Sequence, residues 1–324
     1  MTATHDIVGI GNAIMDIIAP VDDSFLIRND IVKGSMTLID EATALRMSKV
    51  LPTIGRVEVA GGSGANTIAG AAMMGASTAY IGVVADDAVG ARFTDNMRSS
   101  GVTYDTPAQS GGLATARCLI AVTPDGERSM STFLGASTQF NDDNLDEATV
   151  ASGKIVYLEG YLFDSDEAKA AYVKASEITK AAGNKVALTL SDSFCVERHR
   201  EAFRHLVKNH IDILFANEDE ITTLYETDNF EDAVKEVSKL NILAALTRSK
   251  KGSSLIQGRS RIDISIEPAE QLVDTTGAGD QYAAGFLAAY SKGEGLAECG
   301  RWASLAAAEV ISHYGARPER KIKV

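Results

Sequence analysis

The sequence of 324 residues predicts an α/β protein with a doubly wound, mostly parallel sheet, helices on both faces and a small additional β layer. Short, almost continuously apolar runs recur along the chain, which is typical of strands buried on both faces. Longer amphipathic segments lie between these runs, and this alternation favours a parallel sheet covered by helices. Two stretches interrupt the alternation, and we assign both of them to the additional layer.

The individual elements follow from the same two patterns. Near-continuous hydrophobicity predicts strands at 6–11, 78–84, 154–159, 185–190, 211–216 and 243–247, with a further strand-like segment at 271–273. Helical periodicity predicts helices at 65–74, 88–99, 165–182, 197–209, 230–240, 279–291 and 296–313. Gly or Asn residues punctuate many of the helix ends, as expected for helix stop signals.

The interruptions lie at 21–60 and 115–133. The first contains only a short candidate strand, at 36–39, whereas the second predicts a hairpin around Pro124-Asp125-Gly126, a strong turn signal. We expect one small sheet, formed by about 12–60 and 105–140, that stands outside the main sheet as a lid over the carboxyl ends of its strands. Without internal repeats or a Pro/Ser-rich linker, the chain is predicted to be a single domain over 1–324.

Charge and cysteine content restrict the function classes. The formal net charge of −13 repels phosphate backbones and anionic lipids, so neither nucleic acid nor a membrane is an expected partner. The three cysteines, Cys118, Cys195 and Cys299, are odd in number and far apart, which suggests a reducing compartment. We recognise no targeting segment and no apolar stretch of ~20 residues, and therefore expect a cytoplasmic protein.

The most specific motif is DTTGAGD at 274–280, directly before an apolar helix. Its Gly277-Ala278-Gly279 turn lets successive backbone N–H groups point at one position at a helix N-terminus, where the helix dipole also favours an anion. Asp280 lies at the edge of this anion site. A carboxylate there is a poor phosphate ligand but a good base for a hydroxyl that attacks a phosphoryl group.

A second glycine-rich segment, GGSGAN at 61–66, precedes an Ala-rich helix. Gly62 permits close backbone approach to a ligand, and Asn66 offers both a hydrogen-bond donor and an acceptor. Asn12 and Asp16 follow the first predicted strand, and the carboxyl ends of strands favour ligand contact in open α/β sheets. Asp16 suits a sugar, because a carboxylate accepts hydrogen bonds from two neighbouring hydroxyls.

Three further segments are suited to a metal ion or a phosphate. Asn217 and Glu220 follow a predicted strand and carry the oxygen ligands that Mg²⁺ prefers. A basic loop of small residues, from Thr247 to Gly252, follows another strand and can hold nucleotide phosphates. Arg128 lies just past the turn of the lid hairpin, where closure would bring its guanidinium onto a transferring phosphate.

Together these motifs resemble the ribokinase-like, or PfkB, family of carbohydrate and nucleoside kinases. The resemblance runs from DIVGIGNAIMD to HYGARP, and its signature-like segments are GGSGANTIAGAAMMG (61–75) and DTTGAGDQYAAGF (274–286). It implies a doubly wound α/β fold with a β lid, a small-molecule acceptor, ATP as the phosphoryl donor and Mg²⁺ as cofactor. The chain has no GxxxxGK[ST] segment, so phosphate binding by a P-loop is not expected.

The resemblance also implies roles for individual residues. Asp280 stands at the position of the family's catalytic base. The family's anion hole corresponds to the N–H groups of Gly277, Ala278 and Gly279. Arg128 matches an arginine near the transferred phosphate. The residues that contact the substrate sugar in the family correspond here to Asn12, Asp16, Gly62 and Asn66. The Mg²⁺- and nucleotide-binding positions match Asn217, Glu220, Thr247 and Gly252, although Arg248-Ser249 replaces a more usual glycine-containing turn.

Shorter similarities concern the acceptor. GNAIMD and TPDGERSMSTFLGAS are similar to segments of the adenosine kinases in this family, although Ala65 stands where those kinases usually carry Gln. We therefore expect transfer to the 5′-hydroxyl of a ribonucleoside, with adenosine favoured. A ribokinase- or fructokinase-like sugar kinase and an inactive ligand-binding regulator stay open. An oxidoreductase rests only on GIGNAI (9–14), a dinucleotide fingerprint in which Ile14 replaces the third glycine.

Two further expectations come from the family or from the lid. Members of the family often respond to monovalent cations, and the loops near Asp274 and 315–317 are where the resemblance would place one. An edge of the lid sheet can stay free or pair with a second copy, so a monomer and a homodimer both stay open.

Overall fold

The structure, a computed structural model that describes residues 3–322, contains two β-sheets. The strands in chain order are β1 (His5–Ile10), β2 (Ile14–Pro20), β3 (Met36–Leu38), β4 (Val57–Gly61), β5 (Thr78–Ile81), β6 (Val102–Thr103), β7 (Ala116–Val122), β8 (Arg128–Phe133), β9 (Gly153–Glu159), β10 (Lys185–Thr189), β11 (Ile213–Asn217), β12 (Leu243–Thr247), β13 (Ser253–Gln257) and β14 (Ser260–Ile264). Nine of them form the central sheet in the order β14-β13-β12-β11-β10-β9-β1-β5-β6. The strands from β12 to β6 are parallel, and β13 and β14 extend the sheet as an antiparallel hairpin.

Eleven α-helices lie within residues 3–322; the first two lie in the chain segment between strands of the second sheet, and the other nine cover both faces of the central sheet. They are α1 (Asp23–Arg28), α2 (Glu41–Val50), α3 (Ser63–Met73), α4 (Ala88–Ser99), α5 (Glu147–Ser152), α6 (Asp166–Ala181), α7 (Ser193–Asn209), α8 (Glu218–Tyr225), α9 (Phe230–Ser238), α10 (Ala278–Ser291) and α11 (Leu296–Val310). Neighbouring strand residues point to opposite faces, so Ile7 packs in the core under α3, α10 and α11, whereas Val8 packs in the core under α6 to α9. The predicted doubly wound α/β fold is confirmed.

Apart from the segment at 271–273, the predicted strands and helices of the central unit are present, with some differences at their ends. α7, for example, begins at Ser193 and not at 197. The strand predicted at 271–273 is wrong: these residues form no strand, although the N–H of Val273 donates to the carbonyl of Ile311 at 2.9 Å. Within residues 3–322, no helix has the length and apolar character required to cross a membrane.

The second sheet contains five strands in the order β3-β8-β7-β2-β4; four of them come from the two interrupting stretches, whereas β2 lies directly before the first. The hairpin predicted at 115–133 is formed by β7 and β8, whose register pairs Val122 with Arg128. The strand predicted at 36–39 is β3, whereas β2, β4, α1 and α2 were not foreseen. β2 follows β1 after three residues, so the chain between them joins the two sheets.

Helices α10 and α11 pack closely because of a glycine in α10. A Cβ atom on Gly285 would lie 2.6 Å from the carbonyl oxygen of Trp302, which belongs to the backbone of α11. Since backbone atoms cannot rotate away as a flexible side chain can, a larger residue at 285 would displace one helix. This contact fixes the position of α10, whose N-terminus carries the GAGD motif.

Gly285→Val is therefore expected to destabilise the fold, typically by about 1–3 kcal/mol, since overpacking forces a backbone shift. Thermal unfolding followed by circular dichroism measures the effect. The matched control is Gly295→Val at the exposed start of α11, where a Cβ atom meets nothing within 4 Å. Equal melting temperatures for the two variants would contradict the close contact between the helices.

Candidate active site

Both glycine-rich motifs lie at the edge of the central sheet where the parallel strands end. The carboxyl end of β1 leads to Asn12, and β9 ends at Glu159. α3 and α10 begin at the same edge, because Ser63 and Asn66 of α3 both hydrogen-bond to Asp280 of α10. The two signature segments, more than 200 residues apart in sequence, are therefore in direct contact.

Asp280 is a partly buried carboxylate held by two donors. The Ser63 hydroxyl donates to Oδ1 at 2.6 Å, and the Asn66 amide Nδ2 lies 3.4 Å from Oδ2. Burial raises the pKa of Asp280 to about 6, while both hydrogen bonds and the positive charge of Arg317 act in the opposite direction. The carboxylate is therefore largely ionised at neutral pH, yet is a far better proton acceptor than an exposed aspartate.

The turn before Asp280 provides the expected backbone donors, with one difference. Gly277 adopts a left-handed conformation (φ 78°), and a Cβ atom there would lie 2.6 Å from Cα of Ala316. The N–H of Ala278 donates to the carbonyl of Thr275 at 3.2 Å, so it is not free as the predicted anion hole requires. The N–H groups of Gly277, Gly279 and Asp280 have no acceptor within residues 3–322. Three free N–H groups thus lie at the helix N-terminus, and the backbone N–H of Asp280 replaces that of Ala278 in the predicted anion hole.

The side chain of Arg317 belongs to the site, although the motifs pointed to 315–317 only as a loop near a monovalent cation. Its Nε donates to the Asn66 Oδ1 at 3.1 Å, and Nη1 reaches Asn96 and Ser100 at 3.2 and 3.3 Å. Burial lowers the pKa of Arg317 to about 10, which leaves the guanidinium charged at neutral pH. Asn66 therefore bridges Arg317 and Asp280 through its two amide atoms, and its contact with a substrate sugar stays a prediction.

On the acceptor side, Asp16 stands on β2, and its carboxylate has no hydrogen-bond partner among the described residues. A Cβ atom on Gly61 of the adjacent strand would lie 2.3 Å from Oδ2 of Asp16, so glycine is required next to this carboxylate. Burial raises the pKa of Asp16 to about 6, although the charges of Arg128 and Arg317 lower it. A partly buried carboxylate that feels the charges of two arginines and has no donors of its own is suited to receive hydroxyl groups.

Asn12 and Gly62 form the boundary between this acceptor side and α3. A Cβ atom on Gly62, which has φ 90°, would lie 2.4 Å from the carbonyl oxygen of Asn12. The Asn12 side chain donates through Nδ2 to Glu159 at 2.9 Å. Glu159, which the sequence analysis did not single out, is fully buried, and burial raises its pKa to about 7.

The nucleotide-binding candidates meet in a separate groove of about 440 Å³. Its lining comprises Asn217, Glu218, Asp219, Thr247, Arg248, Ser249, Lys250 and Lys251. Asn217 and Thr247 are direct neighbours in the pairing of β11 with β12. Gly252 closes the basic loop with φ 82°, and a Cβ atom there would lie 2.0 Å from the carbonyl oxygen of Ile264. The groove thus contains two of the three positions predicted for the nucleotide, Asn217 and Thr247, and the third, Gly252, ends the basic loop beside it.

Arg248 stands where related kinases usually have a glycine-containing turn, and its side chain is held by an acidic and an aromatic neighbour. Its guanidinium pairs with both carboxylate oxygens of Glu218 at 3.1 and 3.3 Å and lies 3.9 Å from the centre of the Phe230 ring. A planar cation fixed on an aromatic ring in this way offers a flat surface at one end of the groove.

Glu220, the predicted metal ligand, forms a capping box with Asn217. Its oxygens accept from the Asn217 N–H at 3.0 Å and from Nδ2 at 2.6 Å, and burial raises its pKa to about 7. No cluster of three or more His, Cys, Asp or Glu residues arranged to hold a metal occurs within 3–322. Mg²⁺ is commonly held by one or two carboxylates together with waters and substrate phosphates, and Glu220, both of whose oxygens accept from Asn217, would hold such an ion through water.

Arg128 joins the second sheet to the loop before the GAGD turn. Its Nη1 pairs with Oδ2 of Asp274 at 2.5 Å, and each side chain is only 10% exposed. Burial opposes the ionisation of Asp274, but hydrogen bonds from Thr276 and the charge of Arg128 hold its pKa below the usual value. Asp274 also accepts from the N–H of Gly315 at 3.3 Å, so its carboxylate joins Arg128 to the loop at 315–317, and the monovalent cation expected near these loops stays a prediction.

Comparisons with known proteins agree with this arrangement. The family model for pfkB family carbohydrate kinase matches residues 5–322. The chain is 27% identical to adenosine kinase 1 of Arabidopsis thaliana, over 95% of this chain and 94% of that protein. It is 31% identical to the ribokinase of the same plant, over 80% of this chain and 69% of that protein.

Two solved structures are similar over nearly the whole chain. The adenosine kinase from Sinorhizobium meliloti is 45% identical, with a TM-score of 0.89 over 99% of this chain and 98% of that one. A probable sugar kinase from Rhizobium etli CFN 42 is 41% identical, with a TM-score of 0.90 over 99% and 97%. The shared fold, the signature segments and the family match over 5–322 lead to one conclusion: the chain belongs to the pfkB family of carbohydrate kinases and is an ATP-dependent kinase.

Proposed function

We propose that this kinase transfers the γ-phosphoryl group of ATP to the 5′-hydroxyl of a ribonucleoside, with adenosine as the favoured acceptor. The observation that carries the proposal is the position of Asp280, a carboxylate of raised pKa beside free N–H groups and next to the unpartnered Asp16. Similarity to the adenosine kinases of S. meliloti and A. thaliana supports the choice of acceptor.

Asp16 binds the acceptor through the ribose. A vicinal diol presents two hydroxyl donors, and the Asp16 carboxylate has both oxygens available among the described residues. Arg317 and Arg128 keep the carboxylate ionised, because their charges oppose the effect of burial on its pKa. With the diol fixed on β2, the primary hydroxyl points toward α10 and Asp280.

Asp280 then accepts the proton of the attacking hydroxyl. The acceptor oxygen forms a bond to the γ-phosphorus, the bond between that phosphorus and the leaving oxygen of ADP breaks, and the proton moves to the carboxylate. A base with a pKa near 6 is well matched to this step at neutral pH. Ser63 and Asn66 hold the carboxylate in place during the transfer.

The N–H groups of Gly277 and Gly279 stabilise negative charge on the phosphoryl oxygens in the transition state, aided by the dipole of α10. Arg128 adds a guanidinium from the lid sheet, and its Nε has no acceptor within residues 3–322. Glu220 is placed to hold Mg²⁺ through water, and the ion, when bound, neutralises phosphate charge. Closure of the lid sheet excludes water, which would otherwise compete as acceptor.

A sugar kinase is the second candidate, since the chain is 31% identical to a ribokinase and carries Ala65 where adenosine kinases usually carry Gln. An acceptor panel decides between them: ADP release is measured with adenosine, ribose and fructose side by side. The proposal expects the largest kcat/KM with adenosine. A larger kcat/KM with either sugar would replace it with a sugar kinase, and no turnover with any acceptor would favour an inactive ligand-binding protein.

Asp280→Asn is expected to lower kcat by about 10²–10⁴-fold, the usual contribution of a general base, while ATP and the acceptor still bind. Steady-state ADP release and calorimetry measure the two effects. Asp166→Asn, at an exposed carboxylate of α6, is the matched control and should leave kcat unchanged. Near-normal turnover of Asp280→Asn would reject its role as the base.

Asp16→Ala is expected to weaken acceptor binding by roughly 10–100-fold, because hydrogen bonds to a charged group contribute about 1.5–3 kcal/mol. ATP affinity should stay the same, since the nucleotide groove lies on β11 and β12. Isothermal titration with each ligand separates the effects, with the exposed Asp86→Ala as control. Equal losses for both ligands would argue against a contact between Asp16 and the ribose.

The pH profile of kcat at saturating acceptor should fall as the pH drops through about 6, because protonated Asp280 cannot accept the hydroxyl proton. In Arg317→Met the acid limb should move to higher pH, because removal of a nearby positive charge raises the pKa of the carboxyl. The exposed Arg301→Met serves as control. An acid limb at the same pH in both variants would show that Arg317 does not act on the base.

A further inference from the structure

Glu159, at the carboxyl end of β9, is a buried carboxylate with no role in the steps described above. Its side chain is 1% exposed and accepts three hydrogen bonds. Two come from Asn12, through the backbone N–H at 3.2 Å and through Nδ2 at 2.9 Å. The third comes from the backbone N–H of Gly64 at 2.7 Å. These donors belong to two different elements, both of which border the active site.

The bond to Gly64 supplies a cap that α3 lacks in its own sequence. The N-cap residue is Gly62, which has no side chain to accept from the first turn. Glu159, at the end of a central strand, accepts this hydrogen bond in place of an N-cap side chain. The same first turn carries Ser63 and Asn66, the two residues that hydrogen-bond to Asp280. Glu159 therefore acts on the base through α3.

The two bonds to Asn12 act on the acceptor side. Asn12 lies between β1 of the central sheet and β2 of the lid sheet, and β2 carries Asp16. The carbonyl oxygen of Asn12 also accepts from the Tyr80 hydroxyl at 2.9 Å, so the linker is fixed on both sides. One carboxylate thus fixes the connection to the lid as well as the start of α3.

The surroundings of Glu159 leave room for the carboxylate and for nothing larger. A Cβ atom on Gly11 would lie 2.3 Å from Oε2, and one on Gly64 would lie 2.8 Å from it. The Tyr172 hydroxyl donates to the Glu159 carbonyl at 2.6 Å and fixes its backbone. The bonds to Asn12 and Gly64 are therefore made by a side chain that cannot move away from them.

We propose that Glu159 is a positioning residue for phosphoryl transfer: its carboxylate, bonded to Gly64 and Asn12, sets the distance between Asp280 on α10 and the acceptor held by Asp16. This inference rests on the proposed function, because it requires an acceptor on β2. Glu159 contacts neither substrate in this arrangement, so its effect passes entirely through α3 and the linker to the lid.

Glu159→Gln is the variant that tests the inference. Glutamine keeps the shape of the side chain but turns an NH₂ group toward at least one of three N–H donors, so that contact is lost. We expect kcat to fall between about tenfold and 10²-fold, since a displacement of about 1 Å in a reacting pair has such an effect. The acceptor KM should rise and the KM for ATP should stay within about twofold.

A readout independent of activity accompanies the kinetics. Hydrogen–deuterium exchange of peptides that cover 60–68 and 11–15 should become faster in Glu159→Gln, because the neutral amide oxygen is a weaker acceptor than a carboxylate oxygen for the N–H groups of Gly64 and Asn12. Glu167→Gln, at an exposed glutamate of α6, makes the same chemical change and should alter neither exchange nor kinetics. Glu159→Asp keeps the charge but shortens the reach, and serves as the second variant if the first does not fold.

The possible results separate the inference from the proposed function. A loss of kcat with faster exchange at 60–68 and an unchanged KM for ATP supports the inference. A lower melting temperature with kcat and acceptor KM within about twofold of the wild type would overturn it and leave the proposed function intact. A wild-type enzyme that phosphorylates no nucleoside would overturn both.

Discussion

The site depends on one constraint: a carboxylate must be kept basic and ionised beside the free amides that start a helix. Asp280 meets it because burial raises its pKa, while Ser63, Asn66 and the charge of Arg317 prevent the rise from going further. A fully exposed aspartate would be too weak a base, and one buried without these partners would stay protonated at neutral pH. These opposing effects on the pKa of Asp280 require α3 and the segment around 317 to pack against the start of α10.

Close approach between backbones makes this meeting possible, and glycines provide it where other residues would clash. Gly277 lets the start of α10 lie against Ala316, next to Arg317, and Gly62 lets the start of α3 lie against Asn12. Gly64 likewise lets the carboxylate of Glu159 lie against the backbone of α3. The glycines of the two signature segments are therefore needed for contacts within the protein, as well as for the approach of a ligand.

How much the sequence predicts depends on whether the signal is local. The buried strands and the GAGD turn are predictable, because apolar runs and a glycine-rich helix start are visible within a few residues. β2 was missed because apolar residues, Ile14 and Ile18, occupy its half-exposed positions and hide the alternation, and β4 was missed because it has only five residues. The strand predicted at 271–273 is wrong, because three apolar or amide residues do not define a strand when no neighbouring strand pairs with them. Arg317 and Glu159 carry no local signal, since their roles arise from contacts with residues far away in sequence.

The most direct measurement is a crystal structure with ADP, Mg²⁺, aluminium fluoride and adenosine, in which the fluoride complex stands for the phosphoryl group in transfer. The account predicts fluorine atoms at about 2.7–3.1 Å from the N–H groups of Gly277 and Gly279. It also predicts Asp280 in contact with the 5′-oxygen of the acceptor. A fluoride complex bound away from those amides, or an acceptor hydroxyl out of reach of Asp280, would contradict it.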